Sequence, residues 1–415
     1  NAGAISVTTK GPNLEELEGY IETSLGDYDM RRITVSASGP LSDTVAYRLS
    51  GNIHQRDGYI ENTAGNDFND ADDWNIQGKL LWQPSENLSL RLSGSHVERD
   101  TTCCVAEMEL SEEVQAELAA QGLPQGKNDP FDYEVANDQE AEFKLKSDLL
   151  SLQIEYDLGW GAITSITAWS DYSYTQVSDL DASQLDILSG SQNFSGDSIS
   201  QEFRLDSSIG ENIDYQVGLF YYQQTTQRGE AGDAFTYGDD IDTVLGEVFL
   251  RPLLEGINPA LGGFVPTAAS AFVQPGDMIA GKNIWDNDTL ALFGQATWHL
   301  QERWHLTAGV RWTEEEREAE LLTENFTTAA GLASITNPPY PVGVAAVAAR
   351  LAGQIGNTFV DLSNTPIDAK LDRSSENVDW LLKAAYDIGE ESMVYASVST
   401  GSKSGNFNGV SGTVD

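Results

Sequence analysis

Long runs in which apolar and polar residues alternate constrain this chain most, because a period of two suits a strand and not a helix. The clearest is Thr289-Leu290-Ala291-Leu292-Phe293-Gly294-Gln295-Ala296-Thr297-Trp298-His299-Leu300, followed by Gln301-Glu302-Arg303 and a second run from Trp304. In that second run Trp304, Leu306, Ala308, Val310 and Trp312 share one face, and His305, Thr307, Gly309, Arg311 and Thr313 share the other. Soluble strands usually run to about 5–6 residues, whereas a tilted strand needs about 9–11 to cross a bilayer. Several runs here have that length, so the expected surroundings are lipid on one face and a polar interior on the other.

Thirteen such segments follow the first dozen residues, near 15–26, 29–39, 44–56, 72–83, 87–99, 145–157, 161–176, 197–207, 212–226, 288–300, 303–317, 376–387 and 391–401. Their connections alternate in kind. Gly39-Pro40-Leu41-Ser42-Asp43, Pro84-Ser85-Glu86, Leu158-Gly159-Trp160, Ser208-Ile209-Gly210-Glu211, Gln301-Glu302 and Gly389-Glu390 are short and rich in turn formers. Between them lie long insertions at 57–71, 100–144, 177–196, 227–287 and 318–375, with Asp27-Tyr28 a short exception on the long side. Short turns at one end and long loops at the other are the pattern of an antiparallel up-and-down transmembrane β-barrel of the Gram-negative outer membrane, turns periplasmic and loops extracellular. Trp82, Trp160, Trp304 and Tyr386 gather at the short-turn end and Trp74 and Trp312 toward the other, as two interfacial girdles would. Inside the insertions, Ser111 to Gln121 reads as a capped helix stopped by Gly122, and Val342 to Leu351 as a second.

No apolar run among the 415 residues approaches the ~20 a transmembrane helix requires. Sixty-five acidic against 23 basic residues give a net charge of -42, which argues against a nucleic-acid partner. Solvation of the loops is the expected role of this charge, with specific binding of cations the alternative. The clusters Asp67 to Asp73 and Asp239 to Asp242 have the hard oxygens Ca²⁺ prefers but lack the Asp-x-Asp-x-Asp-Gly register. The adjacent Cys103 and Cys104 suit a vicinal disulfide in an exported protein, with free or metal-coordinating thiols the alternative. His54, His96, His299 and His305 stand singly and read as wall residues, and no catalytic constellation, metal site or phosphate-binding loop is found. The chain is therefore expected not to be an enzyme and to hold no cofactor.

Asn1-Ala2-Gly3-Ala4-Ile5-Ser6-Val7-Thr8-Thr9-Lys10-Gly11-Pro12 resembles the last plug strand of TonB-dependent outer-membrane receptors. Gln201-Glu202-Phe203-Arg204-Leu205-Asp206-Ser207, Gly309-Val310-Arg311-Trp312-Thr313-Glu314-Glu315 and Val394 to Asn408 are similar to barrel segments of that family, with Asn406 where a second Gly is usual. The resemblance implies a plug end at 1–12 and the first part of the barrel at 13–415, about 13 of about 22 strands, so that the chain is expected to be a fragment. It also implies active import of a scarce, large nutrient, most often a ferric siderophore or another iron complex. Carbohydrate or cobalamin uptake stays open within the family, and a passive porin-like or adhesin-like barrel outside it. The implied partners are outer-membrane lipid, an extracellular ligand and the TonB-ExbB-ExbD complex, the last through a region upstream of residue 1. Arg48, Lys79, Arg91, Gln153, Glu155, Gln216, Arg311 and Lys383 fall on the polar row and are expected to face the lumen and plug. Tyr59, Phe131, Tyr133, Phe235, Tyr237 and Trp285 are the expected loop aromatics for ligand contact.

Overall fold

The computed structural model describes residues 8–105, 112–120, 122, 131–229, 234–241, 251, 255–256, 259–264, 275–276, 278–300, 303–326, 367–389, 392–405 and 407. The expectations for 1–7, Ser111, Asp242, the Gln301-Glu302 turn, Val342 to Leu351, Asn406 and Asn408 lie outside them.

Strands follow in the order β1 (Glu18–Leu25), β2 (Arg31–Ser42), β3 (Val45–Arg56), β4 (Glu61–Asn62), β5 (Ala71–Ser85), β6 (Leu88–Thr101), β7 (Glu134–Val135) and β8 (Glu142–Asp157). They continue with β9 (Gly161–Asp179), β10 (Leu188–Ile209), β11 (Ile213–Arg228), β12 (Ala234–Tyr237), β13 (Met278–Leu300), β14 (Trp304–Phe326), β15 (Ile367–Gly389) and β16 (Ser392–Ser399). Helix α1 (Glu112–Ala120) precedes β7, and Gly122 beyond it has a φ of +72°, one glycine adopts without steric cost.

All thirteen expected strands are present. They form one antiparallel sheet in which each pairs with its chain neighbours: β1-β2-β3-β5-β6-β8-β9-β10-β11-β13-β14-β15-β16, with β12 lodged between β10 and β13. Among the described residues, β1 and β16 are each paired along one side only.

Exposure alternates along the strands in the reverse sense to a soluble protein. Val310 is 54% exposed and Leu382 51%, while their neighbours Arg311 and Lys383 are half-buried. A sheet curled toward its polar face crowds the side chains there and splays those on the outside. Registered pairs keep the parity across the sheet: Gly294↔Val310↔Trp380 on the apolar face, Thr297↔Thr307↔Lys383 on the polar one. An apolar surface this continuous is the mark of a membrane-embedded face.

Strand lengths correct the sequence-based boundaries. β13, β14 and β15 each have 23 residues, so parts of the expected insertions 227–287 and 318–375 are strand. Alternation stops before the ladder does. On the outer face of β14, Leu306, Ala308, Val310 and Trp312 give way to Glu314, Glu316, Glu318 and Glu320, still in register with β13 and β15. Above the bilayer nothing requires an apolar row, and hydrogen bonding alone carries the strands on.

Candidate functional site

At the long-loop end the insertions are tied to one another. β4 and β7 form a parallel pair, and the Glu61 and Thr63 amides donate to the carbonyls of Tyr133 and Val135, both at 2.9 Å. Asn62 and Asn137 exchange two bonds, from Asn62 Nδ2 to the Asn137 carbonyl and from the Asn137 amide to Asn62 Oδ1, each 3.0 Å. Beneath them Phe68 (1% exposed), Val135 and Ala141 make a small core with Ile60 and Val105 packed against it. The Asp138 amide then reaches the Ser183 carbonyl, and Gly238 and Asp240 donate to the carbonyls of Ile187 and Asp186. Only glycine fits at 238, since a Cβ there would lie 1.9 Å from Asp186 Oδ1. Four stretches far apart in sequence thus form one cap.

Two of the expected contact aromatics lie open on this cap, Phe131 at 85% and Tyr133 at 66% exposed. Tyr59 is half-buried, with the Arg56 guanidinium 4.9 Å from its ring centroid and its hydroxyl accepting from Asn69 Nδ2 at 3.2 Å. Beside it a polar cavity of about 660 Å³ is lined by Asp29, Arg31, Arg56, Asp67, Asp70 and Thr102, among others. Phe235, Tyr237 and Trp285 stand on strands, not loops: Phe235 and Tyr237 in β12, Trp285 in β13. Tyr237 is 6% exposed and belongs to the packing, whereas Phe235 remains 37% exposed.

Protein donors already engage most of the expected acidic cluster. Asp67 Oδ1 accepts from the Asn62 amide, Asp70 Oδ1 from the amide and hydroxyl of Thr102, and Asp73 from Arg99 Nε. The Asp239 amide donates to Asp186 Oδ2, and Asp240 Oδ2 accepts from the Asp186 amide. Three other carboxylates, Asp138, Asp179 and Asp181, instead converge within 4.8 Å of one another. Burial, then the Asp181 charge, pushes the Asp179 carboxyl up to about 7, and burial also raises Asp181 and Asp138. Sequence reading missed this cluster because its members come from different insertions. Cys103 and Cys104, joined in a vicinal disulfide, lie just beyond β6.

Strand pairing puts every lumen-wall candidate on the polar face. Arg48 is opposite Lys79, Arg91 opposite Gln153, and Glu155, Gln216, Arg311 and Lys383 keep the same parity. Arg48 is 10% exposed in its side chain and bonds Glu18 at 3.0 Å. Lys79 Nζ donates to the carbonyls of Thr9 at 3.2 Å and Lys10 at 2.9 Å, as well as to the Thr9 hydroxyl. Arg91 Nε is buried with no acceptor among the described residues. Arg311 sits 5.6 and 5.7 Å from the rings of Phe220 and Phe293, and Lys383 5.1 Å from that of Tyr395.

The histidines depart from the expectation that they stand singly. His299 and His305 touch each other, and His54 and His96 each contact a carboxylate, Asp73 and Asp148.

A family model described as TonB dependent receptor-like, beta-barrel, matches residues 115–414. No curated protein matches the chain. Among solved structures it is similar to the ferric yersiniabactin uptake receptor FyuA from Yersinia pestis, with TM-score 0.65, 15% identity, and 94% of this chain covering 47% of that one. It is also similar to the closed form of the ferric-catecholate import receptor Fiu from E. coli, with TM-score 0.63, 14% identity and coverage of 97% and 54%. The siderophore receptor PiuA from Acinetobacter baumannii gives TM-score 0.56 at 14% identity, with coverage of 92% and 48%. At these identities the likeness is one of fold, and the chain spans about half the length of the structures it matches.

Proposed function

The chain belongs to the TonB-dependent receptor-like β-barrel family of the outer membrane, and from that membership we propose that the complete protein actively imports a scarce, large nutrient, a ferric siderophore or similar iron complex. FyuA and Fiu, whose fold it shares, are receptors for iron complexes. Binding falls to the outer cap, where Phe131 and Tyr133 are presented on a base held by β4, β7 and the Phe68 core. Aromatic faces on a rigid support suit an aromatic or heteroaromatic chelator. Energy comes from the inner-membrane proton gradient through TonB with ExbB and ExbD.

The observation that carries this reading is the grip of Lys79 on Thr9 and Lys10. Thr9 and Lys10, from the segment resembling the end of a plug, lie against the polar face of the wall, where a plug in the barrel's interior would leave them. A channel that opens by moving such a plug needs work; an open pore does not.

The test is uptake of a radiolabelled ferric siderophore by cells making the complete protein. Uptake is expected to stop when TonB is deleted or the gradient collapsed, while binding to whole cells persists. Replacing Phe131 and Tyr133 together by Ala should weaken that binding by at least tenfold. Transport that continues without TonB would make the protein a passive barrel, and TonB-dependent uptake of a labelled glycan or cobalamin in place of iron would change the substrate and keep the mechanism.

A further inference from the structure

Where β13 turns into β14 at the short-turn end, register sets His299 opposite His305, both on the polar face. Their Nδ1 atoms are 2.7 Å apart. Each ring's far nitrogen meets a carboxylate: His299 Nε2 lies 2.8 Å from Asp214 Oδ2, and His305 Nε2 lies 2.8 Å from Asp387 Oδ2. Four residues on the adjacent strands β11, β13, β14 and β15 therefore form one polar chain. Its protons can be counted. A carboxylate accepts, so both Nε2 atoms carry hydrogen, and a single proton fits between the two Nδ1 atoms.

Two imidazoles with converging near nitrogens, and with far N–H groups fixed by carboxylates, have the arrangement that orients histidines around a metal ion. We propose that His299 and His305 form a binding site for a divalent transition-metal ion at the periplasmic rim of the wall, the ion taking the place of the shared proton. Imidazole nitrogen selects the borderline ions, Zn²⁺, Ni²⁺ and Cu²⁺, over Ca²⁺ and Mg²⁺. Tetrahedral bonds of ~2.0–2.1 Å hold ligand nitrogens roughly 3.3 Å apart, so the rings must separate by about half an ångström and tilt to turn both lone pairs onto the ion. The histidine side chains are 33% and 26% exposed, which leaves room for water to complete the coordination. With two protein ligands the site exchanges its ion readily, and the negative charges of Asp214 and Asp387 favour a cation there. Nothing in this assignment depends on which nutrient the barrel carries.

The complete protein in detergent, titrated with ZnCl₂ in a calorimeter at pH 7, tests the site. One Zn²⁺ is expected to bind. His299→Ala and His305→Ala should each abolish that event, and Asp387→Asn should weaken it by about 10–100-fold. His96→Ala, on the outer face, should leave it unchanged. Heat-modifiable migration on a gel reports whether each variant has assembled, and His305→Gln replaces the alanine variant should that one not assemble. Zn²⁺ binding that survives loss of either histidine, or no binding at millimolar Zn²⁺, would overturn the proposal.

Discussion

Asp179 is more easily protonated in the folded cap than in an unfolded chain, because burial and the neighbouring Asp181 raise its carboxyl to about 7. A raised carboxylate favours the folded state below its ordinary range, and that advantage is lost as pH rises through the folded value. The junction between 138–140 and 180–188 should therefore be firmer at pH 5 than at pH 8. Hydrogen exchange of those segments, corrected for intrinsic rate, is expected to slow on acidification, and Asp179→Asn should hold the slow rate at both pH values. Equal protection at both pH values in the native protein would contradict this. Residues such as these were illegible beforehand, since nothing local announces which insertions will meet. The contact between His299 and His305 was legible in principle: two antiparallel runs joined by a short connection bring residues equally far from it face to face, and here Leu300 pairs with Trp304 and His299 with His305. Residue type alone does not show it; register does.

Strands were the part of the fold most readily legible, and their outer ends the part that was not. A period-two pattern exists only where the two faces meet different solvents, so the strand near 303–317, built on Trp304 to Trp312, announced itself and its continuation from Glu318 to Phe326 did not. The same element should respond differently along its length. Val310→Arg, on the apolar face amid the band, is expected to cost about 2–4 kcal/mol near the bilayer midplane. Glu318→Lys, farther along the same face, should change stability by less than about 0.5 kcal/mol. Urea titration of refolding into lipid vesicles separates the two, and comparable losses would place the membrane boundary elsewhere. Within the cap, Phe68→Ala empties the center of a core that supports two insertions and no barrel strand. Proteolysis at 57–71 and 131–141 should then accelerate at least tenfold while heat-modifiable migration of the barrel stays as before. A barrel that fails to assemble would show that the cap guides folding.

The whole sheet resolves a conflict visible in the composition. A chain with a net charge of -42 and an apolar outer face can satisfy both only by giving each its own solvent, and strand parity does the sorting. In residues 1–415 produced alone, β1 and β16 each have an open edge among the described residues, beside that apolar face. In detergent-free buffer they should aggregate, as light scattering would register; a monodisperse, cooperatively unfolding monomer would refute the membrane assignment. Architecture could be read from the sequence because it rests on many repeats of one pattern, whereas the cap and the wall rest on single contacts.

The length of β13, β14 and β15 has a consequence for the cell surface. A crossing uses about 9–11 residues of a tilted strand, and each of these has 23, so about a dozen remain, rising roughly 30 Å at ~3.3 Å per residue and ~45° tilt. The mouth is carried on a palisade that stands above the lipid. A large molecule arriving from outside meets the cap before it meets the bilayer, so the height of three strands decides which surface is touched first.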